Sequence, residues 1–209
     1  MSAHLGILAY GSLIDDPGEE IALATAEILH HGIMTPFAVE FARSSRTRAG
    51  APTLVPVTTG DARVPARVFV LRGDVSDQEA RDMLWRRETG GNGHALASFT
   101  PPNPGPDEVI IDSIVNFHGI HSVLYTRIAA NITPLTPQRL AELALKSTRC
   151  AEVAGKGRDG INYLIAALGN GVRTKLSEAY EEEVLRRTGA ATLADALART
   201  LPRADEFSG

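Results

Sequence analysis

Ile7-Leu8-Ala9-Tyr10-Gly11-Ser12-Leu13 decides how this chain is read. Residues 5–10 are apolar, too few for a typical helix, and run into a Gly-Ser turn, so they predict a buried strand. A strand end fixes the position of whatever follows it. A small turn containing glycine exposes backbone N–H groups that can converge on an anion or a developing oxyanion. A plain strand-to-loop turn uses the same residues. The stretch gains meaning only beside a second feature, Glu88, a carboxylate placed where a helix should carry a hydrophobic residue.

Working outward, Asp15-Asp16-Pro17-Gly18 has loop chemistry. Phe37, Val39 and Phe41 alternate with Ala38, Glu40 and Ala42, the pattern of a half-exposed strand. Ser44 to Pro52 is polar and broken by Gly50 and Pro52, which predicts a loop. Residues 53–57, 64–71, 108–117 and 121–128 are further strand candidates, with Pro56 and Pro65 pushing theirs toward edges, strand starts or bulges. A single helix interrupts this β-rich part. Ser76-Asp77-Gln78-Glu79 has the form of a capping box, the helix runs through Met83, Leu84 and Trp85, and Gly90-Gly91 supplies a stop. Residues 92–107 predict a long irregular loop. From about residue 134 the texture turns helical. Thr136-Pro137 reads as an N-cap and first helical position, and 137–150, 160–169, 175–188 and 191–200 read as helices.

The chain has 209 residues, 44% hydrophobic and 22% charged, which suits one globular domain with a β-rich core over 5–130 and a helical part over 135–202. The helical part is short alone, so an α+β arrangement with helices covering the sheet is expected. A net charge of −4 and no clustered basic face argue against a nucleic-acid partner. Arg43, Arg46 and Arg48 gather closely enough for one carboxylate or phosphate. A lone cysteine, Cys150, precludes an internal disulfide framework and points to a reducing, cytoplasmic setting. Met1-Ser2-Ala3-His4 carries no signal-peptide pattern. No apolar run approaches the ~18 residues of a membrane span.

On a helix, Ala80, Leu84 and Glu88 stack on one face beside Trp85. Glu88 therefore extends an apolar stripe and lies in the last turn. Burial and the helix dipole both disfavour a charge there, which suits a group that trades a proton near neutral pH. Arg86 and Arg87 oppose this if they lie close. The alternative is a frayed, solvated glutamate. The amides of Gly11, Ser12 and Leu13 would hold a carboxylate or a polarised carbonyl oxygen. Ser12 is also a conceivable nucleophile, although the Gly-x-Ser-x-Gly elbow is absent.

Tyr10-Gly11-Ser12-Leu13, the strand Ala66-Arg67-Val68-Phe69-Val70-Leu71 and a helix ending in Trp85-Arg86-Arg87-Glu88 together resemble the γ-glutamylcyclotransferase-like superfamily over about residues 5–130. The later Gly160-Ile161-Asn162-Tyr163-Leu164 is similar to the Gly-x-Asn-x-Tyr-Leu region of the branch that acts on glutathione, with one residue fewer between Asn162 and Tyr163. Ala66 stands where that family often has glycine. The resemblance implies an α+β fold with a mixed sheet curled into a small barrel and helices around it. It implies a lyase or transferase of glutathione-type metabolism that releases 5-oxoproline from a γ-glutamyl amine or peptide. Glu88 would be the catalytic acid and base, and Tyr10, Gly11, Ser12, Leu13 and Tyr125 would bind the substrate. No cofactor and no metal is implied, and the partner expected is a small-molecule γ-glutamyl substrate, with no nucleic acid and no membrane; helices 175–200 would pack either on the sheet or on a second copy, so a homodimer stays open. A non-catalytic binding or regulatory homologue and an amide-cleaving or acyl-transferring enzyme are the alternatives.

Tyr125 lies in an apolar strand, where a core tyrosine with a satisfied hydroxyl is the common case. Arg46 and Arg48 would either meet a distal carboxylate or stay solvated. His30-His31 and His118-x-x-His121 lack the acidic neighbours and helical spacing of a metal site. Cys150 reads as a buried small residue. Gly155-Lys156-Gly157 lacks P-loop spacing. Glu178 and Glu181-Glu182-Glu183 read as a solvated face, with Arg186-Arg187 placed to pair with it.

Overall fold

Ile7, Leu8 and Ala9 have no solvent exposure, as the apolar run requires. A computed structural model describes residues 4–89, 99–100, 105 and 107–202. The strands are β1 (Leu5–Ala9), β2 (Thr25–Leu29), β3 (Val39–Ser45), β4 (Ala51–Pro56), β5 (Arg67–Leu71), β6 (Ile110–Phe117) and β7 (Ile120–Arg127). The helices are α1 (Glu19–Ala24), α2 (Asp77–Thr89), α3 (Pro137–Thr148), α4 (Ala151–Ala154), α5 (Gly160–Gly169), α6 (Ser177–Thr188) and α7 (Leu193–Thr200). The chain is α+β and divides into two compact units, residues 1–36 with 65–129 and residues 37–64 with 130–209.

The first unit is built on a mixed sheet of order β2-β5-β1-β7-β6. β1 runs antiparallel to β5 and parallel to β7, with Ile7 opposite both Phe69 and Leu124. β2 and β6 end the order, and no pairing among the described residues joins them. Ile7, Ala9, Phe69 and Leu124 cluster with Ala80, Met83 and Leu84 of α2, so the helix covers this face. The capping box forms as expected. Glu79 Oε2 accepts from the Ser76 N–H at 2.8 Å, and Ser76 Oγ accepts from the Glu79 N–H at 3.3 Å. Glu79, held by these bonds to Ser76, has its carboxyl below the ordinary value. Phe99 is buried in the same core, and its N–H donates to Asp82 at 2.6 Å. The expected Gly90-Gly91 stop and most of the 92–107 loop lie outside the described residues.

The second unit joins the β3–β4 hairpin to α3–α7. The loop expected over Ser44–Pro52 is shorter than the sequence suggests. β3 continues to Ser45, a 3-10 turn covers Arg46–Arg48, and β4 begins at Ala51. The turn closes through the Gly50 N–H donating to the Ser45 carbonyl at 2.8 Å, which lets polar residues remain in the ladder. Thr136 caps α3 by accepting from the Arg139 N–H, with Pro137 at the first helical position, and such a cap contributes about 1 kcal/mol. Glu183 departs from the solvated face expected for it. It is buried and accepts from both Arg186 and Arg187. No helix among the described residues is long and apolar enough to cross a membrane.

Candidate functional site

β1 ends at Ala9, and the backbone turns at once. Tyr10 is extended, and Gly11-Ser12-Leu13 form a 3-10 turn closed by the Ile14 N–H on the Gly11 carbonyl at 3.3 Å. Gly11 has a φ of 59°, in the left-handed region, so a residue with a Cβ would be strained there. Leu13 and Ile14 drop into the core of the first unit and anchor the turn. The leading N–H groups of so short a turn have no acceptor within it. Gly11 and Leu13 are buried and Ser12 is half-buried.

The apolar stripe of α2 ends at Glu88. Ala80 and Leu84 are fully buried, and the Glu88 side chain, on the same face, is 23% exposed. Arg87 joins the two segments. Its Nη1 donates to Glu88 Oε1 at 2.7 Å, its Nε and Nη2 donate to the Asp16 carbonyl at 3.0 and 2.7 Å, and Nη2 reaches Ser12 Oγ at 3.4 Å. Arg86 turns the other way and forms a bidentate pair with Glu20 of α1, which raises the Arg86 guanidinium above its ordinary value. Arg67 donates to the Ile14 carbonyl at 3.3 Å. Two arginines, Arg67 of β5 and Arg87 of α2, thus hold the segment between β1 and α1, and Arg86 holds α1 itself.

Tyr10 and Tyr125 lie at the carboxyl end of the parallel pair β1–β7. The Tyr10 hydroxyl donates to the Thr126 carbonyl at 2.8 Å, so Tyr10 ties the turn to β7. Strand alternation puts Tyr125 on the face opposite Leu124, hence opposite the α2 core. Asp112 faces Tyr125 across the β6–β7 ladder and is itself paired with Arg127 at 2.8 Å. Burial and then the Asp112 charge push the Tyr125 phenol above its ordinary value. The structure therefore links Glu88 to the turn over residues 11–16 through Arg87, and Tyr10 ties the same turn to β7, while Tyr125 lies on the other face of the sheet from the α2 core.

Arg46, Arg48 and the Gly160 segment belong to the second unit. Arg48 lies over the Tyr163 ring, 4.9 Å from its centroid, and donates to the Arg158 carbonyl at 3.2 Å. Gly160-Ile161-Asn162 open α5 under a buried cap, Asp159, which accepts from the N–H groups of Ile161 and Asn162. The Tyr163 hydroxyl accepts from the Leu54 N–H at 3.1 Å. Both histidine pairs are exposed, and no group of three His, Cys, Asp or Glu side chains suited to a metal occurs among the described residues. Cys150 is half-buried at the head of α4, more open than the buried position expected.

Sequence reasoning missed the role of Arg87 as the link, and with it the acceptor role of the Asp16 carbonyl. Side-chain periodicity carries no information about a backbone carbonyl. The one available signal was a basic residue directly preceding the out-of-place glutamate. No family model, no curated protein and no solved structure matches the chain.

Proposed function

We propose that the chain is a cofactor-independent γ-glutamylcyclotransferase-type enzyme of the superfamily its N-terminal motifs resemble, with the mixed sheet curled toward a barrel. The reading rests on one observation: a single guanidinium, that of Arg87, bonds both Glu88 and the Ser12–Asp16 turn. The substrate is a γ-glutamyl amine or peptide whose own α-amine is the nucleophile. Intramolecular attack removes most of the entropic cost once the chain is held curled.

The steps balance without an outside reactant. Glu88 takes a proton from the α-ammonium, and the freed amine attacks the γ-carbonyl carbon. The carbonyl oxygen becomes an oxyanion, and the amides of Gly11, Ser12 and Leu13 supply donors for it or for the α-carboxylate. Collapse breaks the bond from the γ-carbon to the leaving nitrogen, which takes the proton back from Glu88; the ring nitrogen then gives up its second proton to the departing amine, which leaves as an ammonium. The products are 5-oxoproline and an amine. Tyr10, held by the Thr126 carbonyl, supplies the wall against which the substrate folds, and Tyr125, on the face of the sheet away from α2, takes no part.

The test is 5-oxoproline release from a panel of γ-glutamyl amino acids, amines and glutathione, with Glu88→Gln beside the wild type. The amide keeps the shape and cannot carry the proton, so a loss of about a hundredfold or more is expected. No release by the wild type, or full turnover by Glu88→Gln, overturns the reading. The ion pair itself favours a second reading, a binding homologue in which Arg87 keeps the carboxylate engaged. That reading predicts thermal stabilisation by glutathione or 5-oxoproline with no product formed.

A further inference from the structure

The geometry points to Arg87 as the positioning residue of this site. By bonding the Ser12–Asp16 turn and Glu88 together, it sets the separation between the amide donors and the proton carrier. The inference rests on the cyclotransferase reading and adds a residue to it. The Arg87 side chain is only 15% exposed, and three of its nitrogens are used. Its stem is confined as well, because a Cβ built on Gly18 would lie 3.4 Å from Arg87 Cγ. The segment around it has separate anchors. Arg86 holds Glu20, Arg67 holds the Ile14 carbonyl, and Leu13 and Ile14 are in the core. Loss of the Arg87 guanidinium therefore frees the Glu88 carboxylate from the turn without releasing the whole segment.

Proton transfer and oxyanion stabilisation occur on the same small molecule, so their donors must keep a fixed spacing. A displacement of about 1 Å costs up to about a hundredfold in rate. Lysine carries the same charge but is a point donor on a flexible stem and lacks the planar fork that spans several acceptors.

The test compares Arg87→Lys and Arg87→Ala with the wild type in the 5-oxoproline assay. Both variants are expected to lose about ten- to a hundredfold in kcat with KM within about threefold, because the turn keeps its other anchors and still holds the substrate. Added guanidinium ion at sub-denaturing concentration is expected to restore part of the Arg87→Ala turnover, and potassium at equal ionic strength is not. Full activity in Arg87→Lys, a loss confined to KM, or no restoration by guanidinium overturns the assignment. If the wild type releases no 5-oxoproline, the functional reading falls by itself and amide exchange decides the positioning role. Arg87→Ala should then speed exchange at Asp16, whose N–H bonds the Ser12 carbonyl, and leave the separately anchored Ile14 and Ala80 at the start of α2 unchanged. Equal exchange in both proteins at Asp16 overturns it.

Discussion

Ser12 and Arg87, 75 residues apart in the chain, meet hydroxyl to guanidinium at 3.4 Å. The Ser12 oxygen accepts there, and it is the backbone N–H of the same residue that the proposed reaction uses. This separates two chemistries on one residue. In cyclotransfer the substrate supplies its own nucleophile, so Ser12→Ala keeps the essential donor. Its kcat/KM is expected to fall by less than about tenfold. Removal of a true serine nucleophile costs about ten-thousandfold or more. Steady-state kinetics of Ser12→Ala on the γ-glutamyl panel, with an acylating probe run on the wild type, distinguishes the two. A collapse of activity together with covalent labelling of Ser12 would favour acyl transfer.

Gly160 and Ala144 meet where α5 crosses α3. A Cβ on the glycine would fall 2.5 Å from the Ala144 Cα and 3.0 Å from its carbonyl oxygen, both backbone atoms that cannot step aside. Glycine is thus required by the helix approach, independently of any ligand. Gly160→Ala is expected to destabilise the protein by about 1–3 kcal/mol, the usual cost of overpacking a close contact. Urea unfolding of the purified variant measures this. An unchanged midpoint would mean that the helices separate freely at this crossing.

Tyr180 is fully buried, its ring edge-on to Phe41 at 5.4 Å, and its hydroxyl has no hydrogen-bond partner among the described residues. Burial pushes the phenol well above its ordinary value. Leaving a hydroxyl unpaired in the core costs about 1–3 kcal/mol. Tyr180→Phe keeps the ring contacts and removes that cost, so it is expected to be neutral or to stabilise by about 1 kcal/mol. Denaturant titration checks it. A loss of stability would show that the hydroxyl is bonded to a trapped water.

The parts of the fold that could be read in the sequence are those with local punctuation. Ser76 and Glu79 mark the start of α2, Thr136 and Pro137 mark α3, and both caps form. The run Glu19–Leu29 escaped notice because α1 passes into β2 at Ala24–Thr25 with neither glycine nor proline between them. At the junction the Thr25 hydroxyl donates back to the Ile21 carbonyl at 2.7 Å, a bond invisible to periodicity. The grouping of the β3–β4 hairpin with the later helices was also illegible, since alternation describes a strand's faces and not its partner. At the candidate site, Glu88 was legible as a polar residue on an apolar stripe. The Arg87 link was not, because its acceptors on the turn are a distant carbonyl and a hydroxyl.

Glu183 offers a test of the second unit through pH. Its side chain is 8% exposed and accepts from Arg186 Nε and Nη2 and from Arg187 Nε, each at 2.7 Å. Arg186 first, and Arg187 with it, lower the carboxyl from 4.5 to about 2. The folded value lies below the unfolded one, so the folded state favours the charged form. The contribution is complete above about 4.5 and is lost as pH falls toward about 2, where the carboxylate takes up a proton. Glu183→Gln cannot ionise and lacks this dependence. The stability difference between wild type and Glu183→Gln, from urea unfolding at a series of pH values, should be constant near neutrality and shrink steadily below about 4.5. A difference that stays the same from neutral pH down to pH 3 would show that the arginines do not hold the charge.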